Sequence, residues 1–176
     1  MHEPGAAADV TLRDARPADR PAVAAVTLGA YGQYAATMQP QAWAGLESAV
    51  RAALGLDDDA VHRIVAERGG EVVGSVMLYP PAADAYGGYT RAAPWPELRL
   101  LAVSPAARGA GVGRGLVEEC VRRARAMGAP ALGLHTSRSM AVAIGLYERM
   151  GFVRAPAHDF QPPGAELVTA YQLPLR

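Results

Sequence analysis

Residues 98–116 read Leu-Arg-Leu-Leu-Ala-Val-Ser-Pro-Ala-Ala-Arg-Gly-Ala-Gly-Val-Gly-Arg-Gly-Leu, and the fold turns on this stretch. Leu98 to Val103 is apolar enough to be a buried strand. From Val112 to Met127 the residues Leu116, Val117, Cys120, Val121, Ala124 and Met127 recur on one helical face. On the other face Glu118–Arg122 and Glu119–Arg123 stand at i,i+4 in the favourable order, and Gly128 with Pro130 ends the helix. A strand therefore runs through a glycine-rich turn into a helix. Such glycines let a ligand approach the backbone, and the free N–H groups and dipole of the first helical turn favour a phosphate. With 19 glycines in 176 residues, a bare G-x-G is expected roughly twice by chance. The fuller R-G-x-G-x-G at Arg108 to Gly113 is expected about 0.02 times, so a ligand-binding turn is the better reading.

Outward from this stretch the elements alternate. Val10 to Asp14 reads as a short strand, Ala18 to Ala30 as a helix with Val23, Val26 and Ala30 in register, and Pro40 to Leu54 as a second helix. Val61 to Glu67 and Glu71 to Tyr79 read as strands joined by a tight Gly69-Gly70 turn, followed by a long loop over Pro80 to Pro96. Past the quoted stretch come a strand from Ala131 to Thr136, a helix from Met140 to Met150 stopped by Gly151, and strands at Phe152 to Arg154 and Leu167 to Leu173. Interleaved strands and helices with one early hairpin predict a mixed α/β (α+β) fold in a single domain over residues 10–176. Residues 1–9 are expected to be poorly ordered.

Composition narrows the function. All 17 basic residues are Arg and balance 17 acids, so a general electrostatic grip on nucleic acid is not expected. The absence of Lys rules out a Schiff-base lysine and a Walker-type phosphate lysine. A single cysteine, Cys120, rules out an intrachain disulfide framework and a Cys-rich zinc site, and no metal site is expected. No apolar run approaches 18 residues and the start carries no hydrophobic signal core, so the expected setting is the cytoplasm, away from membranes.

The dinucleotide pattern G-x-G-x-x-G fails, because its third position falls on Arg114 or Leu116. Arg108-Gly109-Ala110-Gly111-Val112-Gly113 instead resembles the acetyl-CoA motif Q/R-x-x-G-x-G/A of the GNAT superfamily of N-acetyltransferases. Ala143-Ile144-Gly145-Leu146-Tyr147-Glu148-Arg149-Met150-Gly151-Phe152 resembles that family's helix-to-strand signature, A-x-x-L-Y-E-x-x-G-F. The likeness covers residues 63–152 well and the first 60 in outline. One departure is Met140, where many members carry an Asn whose amide contacts the cofactor.

The resemblance implies a mostly antiparallel twisted sheet flanked by helices, with a splayed strand pair at the acetyl-CoA site. It implies that acetyl-CoA is the co-substrate and that acetyl passes directly to a primary amine of a small molecule or peptide. Leu101, Ala102 and Val103 would offer backbone groups to the pantetheine arm, and Arg108, Gly109, Ala110, Gly111, Val112, Gly113 and Arg114 would cradle the pyrophosphate. Met140 could serve through its backbone. Tyr147 would sit near the thioester sulfur, where its phenol can give a proton to the thiolate, although Met140, Ala143, Ile144, Tyr147 and Met150 also form a core stripe.

Glu97 is the candidate general base, against a reading as a solvated carboxylate at a strand start. His135 reads as structural, and Cys120 as a buried small hydrophobe. Seven of 11 aromatics (Tyr31, Tyr34, Trp43, Tyr79, Tyr86, Tyr89, Trp95) lie in the region that frames the acceptor in the family, where they could hold an ammonium. Homodimers are common in that family. The rival reading is a non-catalytic acyl-CoA-binding or regulatory module on the same fold.

Overall fold

A computed structural model of the chain describes residues 9–176, so the expectation for the first eight residues lies outside it. In chain order the elements are β1 (Thr11–Asp14), α1 (Arg20–Gly32), α2 (Pro40–Leu54), β2 (His62–Arg68), β3 (Glu71–Tyr79), β4 (Glu97–Val103), α3 (Val112–Ala126), β5 (Ala131–Thr136), α4 (Ala141–Arg149), β6 (Val153–Arg154) and β7 (Thr169–Pro174). They form one sheet in the order β1-β2-β3-β4-β5-β7-β6, antiparallel throughout except where β4 meets β5. The expected mixed α/β fold with a mostly antiparallel sheet is therefore the observed one.

Local chemistry explains the pieces. Gly69 and Gly70 both take positive φ, +59° and +82°, which a two-residue turn between twisted strands demands. The 80–96 loop has no regular element, in keeping with its Pro, Gly and Ala content. Three expectations shift. α1 begins at Arg20 behind a short 3₁₀ turn at Pro17–Asp19. The last strand starts at Thr169, because Val168 is held instead in a lone bridge to Phe160. On α3, Glu118 pairs with Arg114 rather than Arg122, and both Arg122 and Arg123 close on Glu119.

Each face of the sheet buries its own apolar layer. α3 and α4 cover Ile64, Val76, Leu78, Leu98, Leu132 and Leu134, with Leu116, Val117 and Cys120 pointing in from α3. α1 and α2 cover Val61, Met77, Tyr79 and Leu100. Each fully buried aliphatic side chain contributes about 1.5–3 kcal/mol, so these layers, more than helix propensity, hold the elements in place. α3 reaches the sheet because β3 has Gly74 beneath it. A Cβ there would lie 3.1 Å from Leu116, Val112 and the Ala102 carbonyl. Among the described residues no helix is long and apolar enough to cross a membrane.

Candidate active site

β4 and β5 run side by side at only one register position, Glu97 with Gly133, where the Gly133 N–H donates to the Pro96 carbonyl at 2.9 Å. Beyond it the two strands part. Along its other edge β4 pairs with β3 through a bulge, and Leu100 takes φ +52° there. A buried leucine in the left-handed region costs about 1–3 kcal/mol. Leu100 is held by its burial in the α1/α2 layer. The extra residue changes which side chains face which way. Glu97 and Arg99 stand opposite Tyr79 and Met77, on the α1 side, whereas Leu101 and Val103 pack toward α3.

The parted edge fits the pantetheine arm in part. The Ser104 N–H donates to Val73 of β3, so by strand alternation Leu101 and Val103 turn their backbone groups outward and Ala102 turns its own toward β3. The expected backbone role of Ala102 is therefore replaced by a structural one. The exposed Arg108 side chain donates from Nε to the Val103 carbonyl at 3.3 Å, so it must swing aside to free that acceptor.

The glycine turn fits an anion. Gly109 and Gly111 take φ +78° and +79°, and Gly111 caps α3. None of the N–H groups from Gly109 to Arg114 has an acceptor among the described residues. A Cβ added at Gly113 would touch only Val103 of β4 and Leu146 of α4, at 3.6 and 3.7 Å. Gly113 thus lies open to the space between the two elements. The Met140 N–H is already spent on the Ser137 carbonyl at 2.9 Å, which leaves Met140 only its carbonyl. The buried hydroxyls of Thr136 and Ser137, at the end of β5, have no hydrogen-bond partner among the described residues. Sequence reasoning missed both, since nothing in a Thr-Ser pair signals burial.

Tyr147 lies on the inner face of α4, 6% exposed, with its ring 5.6 Å from Phe152. Burial pushes its phenol far above the usual tyrosine range, with Tyr31 and Tyr34 nearby adding to the effect. Tyr31 rises to about 12 by burial. The core reading of Tyr147 is therefore true of the molecule, and the phenol keeps its proton at any physiological pH.

Glu97 is not the solvated carboxylate of the alternative reading. It is 7% exposed, and its Oε2 lies 3.0 Å from His135 Nδ1. His135 Nε2 lies 2.8 Å from the His158 carbonyl oxygen, which can only accept, so Nε2 carries a proton. In a neutral ring Nδ1 then has a lone pair facing a carboxylate. The contact closes only when a proton lies between the two atoms, so the pair is arranged to hold one proton. His135, set aside as structural, is the direct partner of the candidate base. Gly133 makes the arrangement possible: a Cβ there would fall 2.7 Å from Trp95 Cδ1 and 3.0 Å from Glu97 Oε1.

An aromatic cover closes over the pair. Tyr86 and Phe160 lie 4.4 and 5.2 Å from the His135 ring, Tyr89 stacks on Phe160, and Trp95 lies 5.1 Å from the His158 ring. Burial, reinforced by the Glu97 carboxylate, pushes the Tyr86 phenol well up. Tyr86, Tyr89 and Trp95 thus gather as expected, Tyr31 and Tyr34 pack edge-on at the end of α1, and Trp43 joins no aromatic pair among the described residues. Phe160 was not anticipated, because it comes from the Pro-rich return loop before β7.

Several solved structures with this architecture carry the name acetyltransferase. The chain superposes on the ribosomal-protein-S18-alanine N-acetyltransferase of Escherichia coli with a TM-score of 0.63 at 20% identity, covering 95% of this chain and 94% of that one. It superposes on a GNAT family acetyltransferase of Brucella melitensis, solved in complex with acetyl-CoA, with a TM-score of 0.60 at 24% identity, covering 96% and 90%. At those identities the likeness is one of fold. The profile of the acetyltransferase (GNAT) family matches residues 30–152, and the chain belongs to that family. It is 39% identical over 103 residues to an IAA acetyltransferase of Azospirillum brasilense and 32% identical over 94 residues to a mycothiol acetyltransferase of Streptomyces avermitilis. The matches cover 58% and 53% of this chain but 61% and 28% of those relatives.

Proposed function

We propose that the protein transfers an acetyl group from acetyl-CoA directly to a primary amine, with no covalent enzyme intermediate. The observation that carries this reading is the unbroken run of unpartnered N–H groups from Gly109 to Arg114 beside the parted edge of β4. Family membership and the acetyltransferase names of its relatives support the reaction type. Cytoplasmic residence, a homodimer and a single transferase domain over residues 10–176 belong to the same reading.

The residues divide the work across the strand gap. Main-chain N–H groups of Gly109 to Arg114 receive the pyrophosphate, and the outward groups of Leu101 and Val103 receive the pantetheine amides. Glu97, sharing its proton position with His135, takes the ammonium proton directly or through a water. The freed amine nitrogen bonds to the thioester carbonyl carbon, the C–S bond breaks as that nitrogen sheds its second proton, and sulfur leaves as a thiolate that takes up one proton through water to become the free thiol. A free thiol has a pKa of about 8.5, and burial holds the Tyr147 phenol well above its ordinary value, so full proton transfer from Tyr147 runs uphill. Tyr147 therefore acts by directing its O–H at the sulfur, which replaces the water that a buried thiolate lacks.

Gly113→Val tests the cofactor half. Gly113 sits in the first turn of α3 without positive φ, and valine is a better helix former than glycine, so the variant folds. Its side chain extends between Val103 and Leu146. Acetyl-CoA affinity measured by calorimetry falls at least tenfold. Unchanged affinity in the folded variant removes the assignment. Gly111 is a poorer test, because its φ of +79° would strain any side chain.

A further inference from the structure

β4 carries a second charged side chain on the same face as Glu97. Arg99 stands opposite Met77 as Glu97 stands opposite Tyr79, and two residues of strand separate their Cα atoms by about 7 Å. Glu97 has His135 as its partner, but Arg99 has no acid within ion-pair distance among the described residues. Its guanidinium lies 4.5 Å from the centre of the Tyr86 ring and 5.6 Å from that of Tyr79, and it donates to the Ala85 carbonyl. Arg13 and Arg123, also half-buried, differ: each closes on two carboxylates.

A guanidinium has five N–H donors in one plane, matched to a carboxylate. The Tyr79 and Tyr86 rings take water from part of the guanidinium and offer it no carboxylate. A half-buried cation in this position is costly without a counter-ion, and an anion from outside the chain relieves the cost. We infer that the acceptor is a free amino acid, whose carboxylate lies on the fork of Arg99 while its amine faces Glu97. The Tyr86 ring lies 4.5 Å from the Arg99 guanidinium and 4.4 Å from the His135 ring, so it swings aside to admit a zwitterion that offers a hydrogen bond to each charged end. A peptide N-terminus has an amide where the carboxylate is needed. The cover of Tyr86, Tyr89 and Phe160 favours an apolar side chain on that amino acid.

This inference rests on the amine-acetylation reading, and one assay separates the two. Acetyl-CoA binding is measured by calorimetry. Thiol release is then followed with phenylalanine, methionine, leucine and alanine, each beside its amide and its decarboxylated amine, at a pH where every amine is largely neutral. In the wild-type protein, kcat/KM for at least one free amino acid exceeds that of both its uncharged analogues tenfold or more. Arg99→Gln keeps a donor for Ala85 but removes the charge. It abolishes the preference through a rise in KM for the free acids, and Arg99→Lys restores part of it. A purely structural Arg99 would lower turnover of all three analogues alike. Amides or amines used as well as the free acids, or no amino acid used at all, overturn the inference while acetyl-CoA still binds. Loss of acetyl-CoA binding itself would instead remove the reading beneath it.

Discussion

Tyr147 and Glu97 lie on opposite sides of the strand gap, and in the proposed reaction one meets the leaving sulfur while the other takes the proton of the incoming amine. Tyr147→Phe keeps the ring against Phe152 and deletes only a hydroxyl. Loss of one hydrogen-bond donor aimed at developing negative charge typically costs about 10²–10³-fold, so kcat falls by about 10² or more while thermal stability and acetyl-CoA affinity hold. Full activity in this variant would hand the thiolate to water. Glu97→Gln offers His135 Nδ1 an amide N–H and keeps the packing, so it lowers kcat more than it raises KM. Equal loss of folding and turnover in either variant would leave only a core role. The glycine turn and the buried place of Tyr147 on α4 were legible in the sequence because their spacing is local, whereas a catalytic role for Tyr147 came only from the family resemblance. The Glu97–His135 contact was not, because it spans 38 residues and depends on which strand lies beside β4.

Elements were easier to read than contacts. The periodicity of α3 and the Gly-Gly turn gave their positions closely, since both are local steric facts. The bulge at Leu100 was hidden, because an apolar run looks the same whether or not one residue steps out of register. The ion pairs of α3 also rearranged, and they carry a pH dependence. Hydrogen bonds first from Arg122 and then from Arg123 hold the Glu119 carboxyl down at about 2. Its unfolded value is about 4.3, and a depressed folded value stabilises the fold above the unfolded one. That stabilisation is lost as pH falls from about 4.3 toward 2. Thermal denaturation therefore shows the melting temperature dropping across that window, and Glu119→Gln, less stable at pH 7, shows a shallower drop. Parallel slopes in the two proteins would show that the pairs on α3 contribute nothing.

At the scale of the whole molecule, the sheet divides the work. One parallel pair in an otherwise antiparallel sheet opens a gap through it. The glycine turn and Tyr147 lie on the α3/α4 side, and Glu97, Arg99 and the aromatic cover lie on the α1 side. That division matches a reaction in which two substrates meet from opposite faces. It was only partly legible beforehand, because strand order decides it and no single segment encodes strand order. The most direct test of the account is turnover: release of free CoA thiol from acetyl-CoA across amines and free amino acids, with the product weighed by mass spectrometry. The buried Cys120 thiol, raised to about 12 by desolvation, stays silent to the thiol reagent in the folded protein. The account predicts one N-acetylated product molecule for each thiol released, with at least one acceptor. Tight acetyl-CoA binding without turnover on any of them would contradict it, and would make the fold a binding module instead.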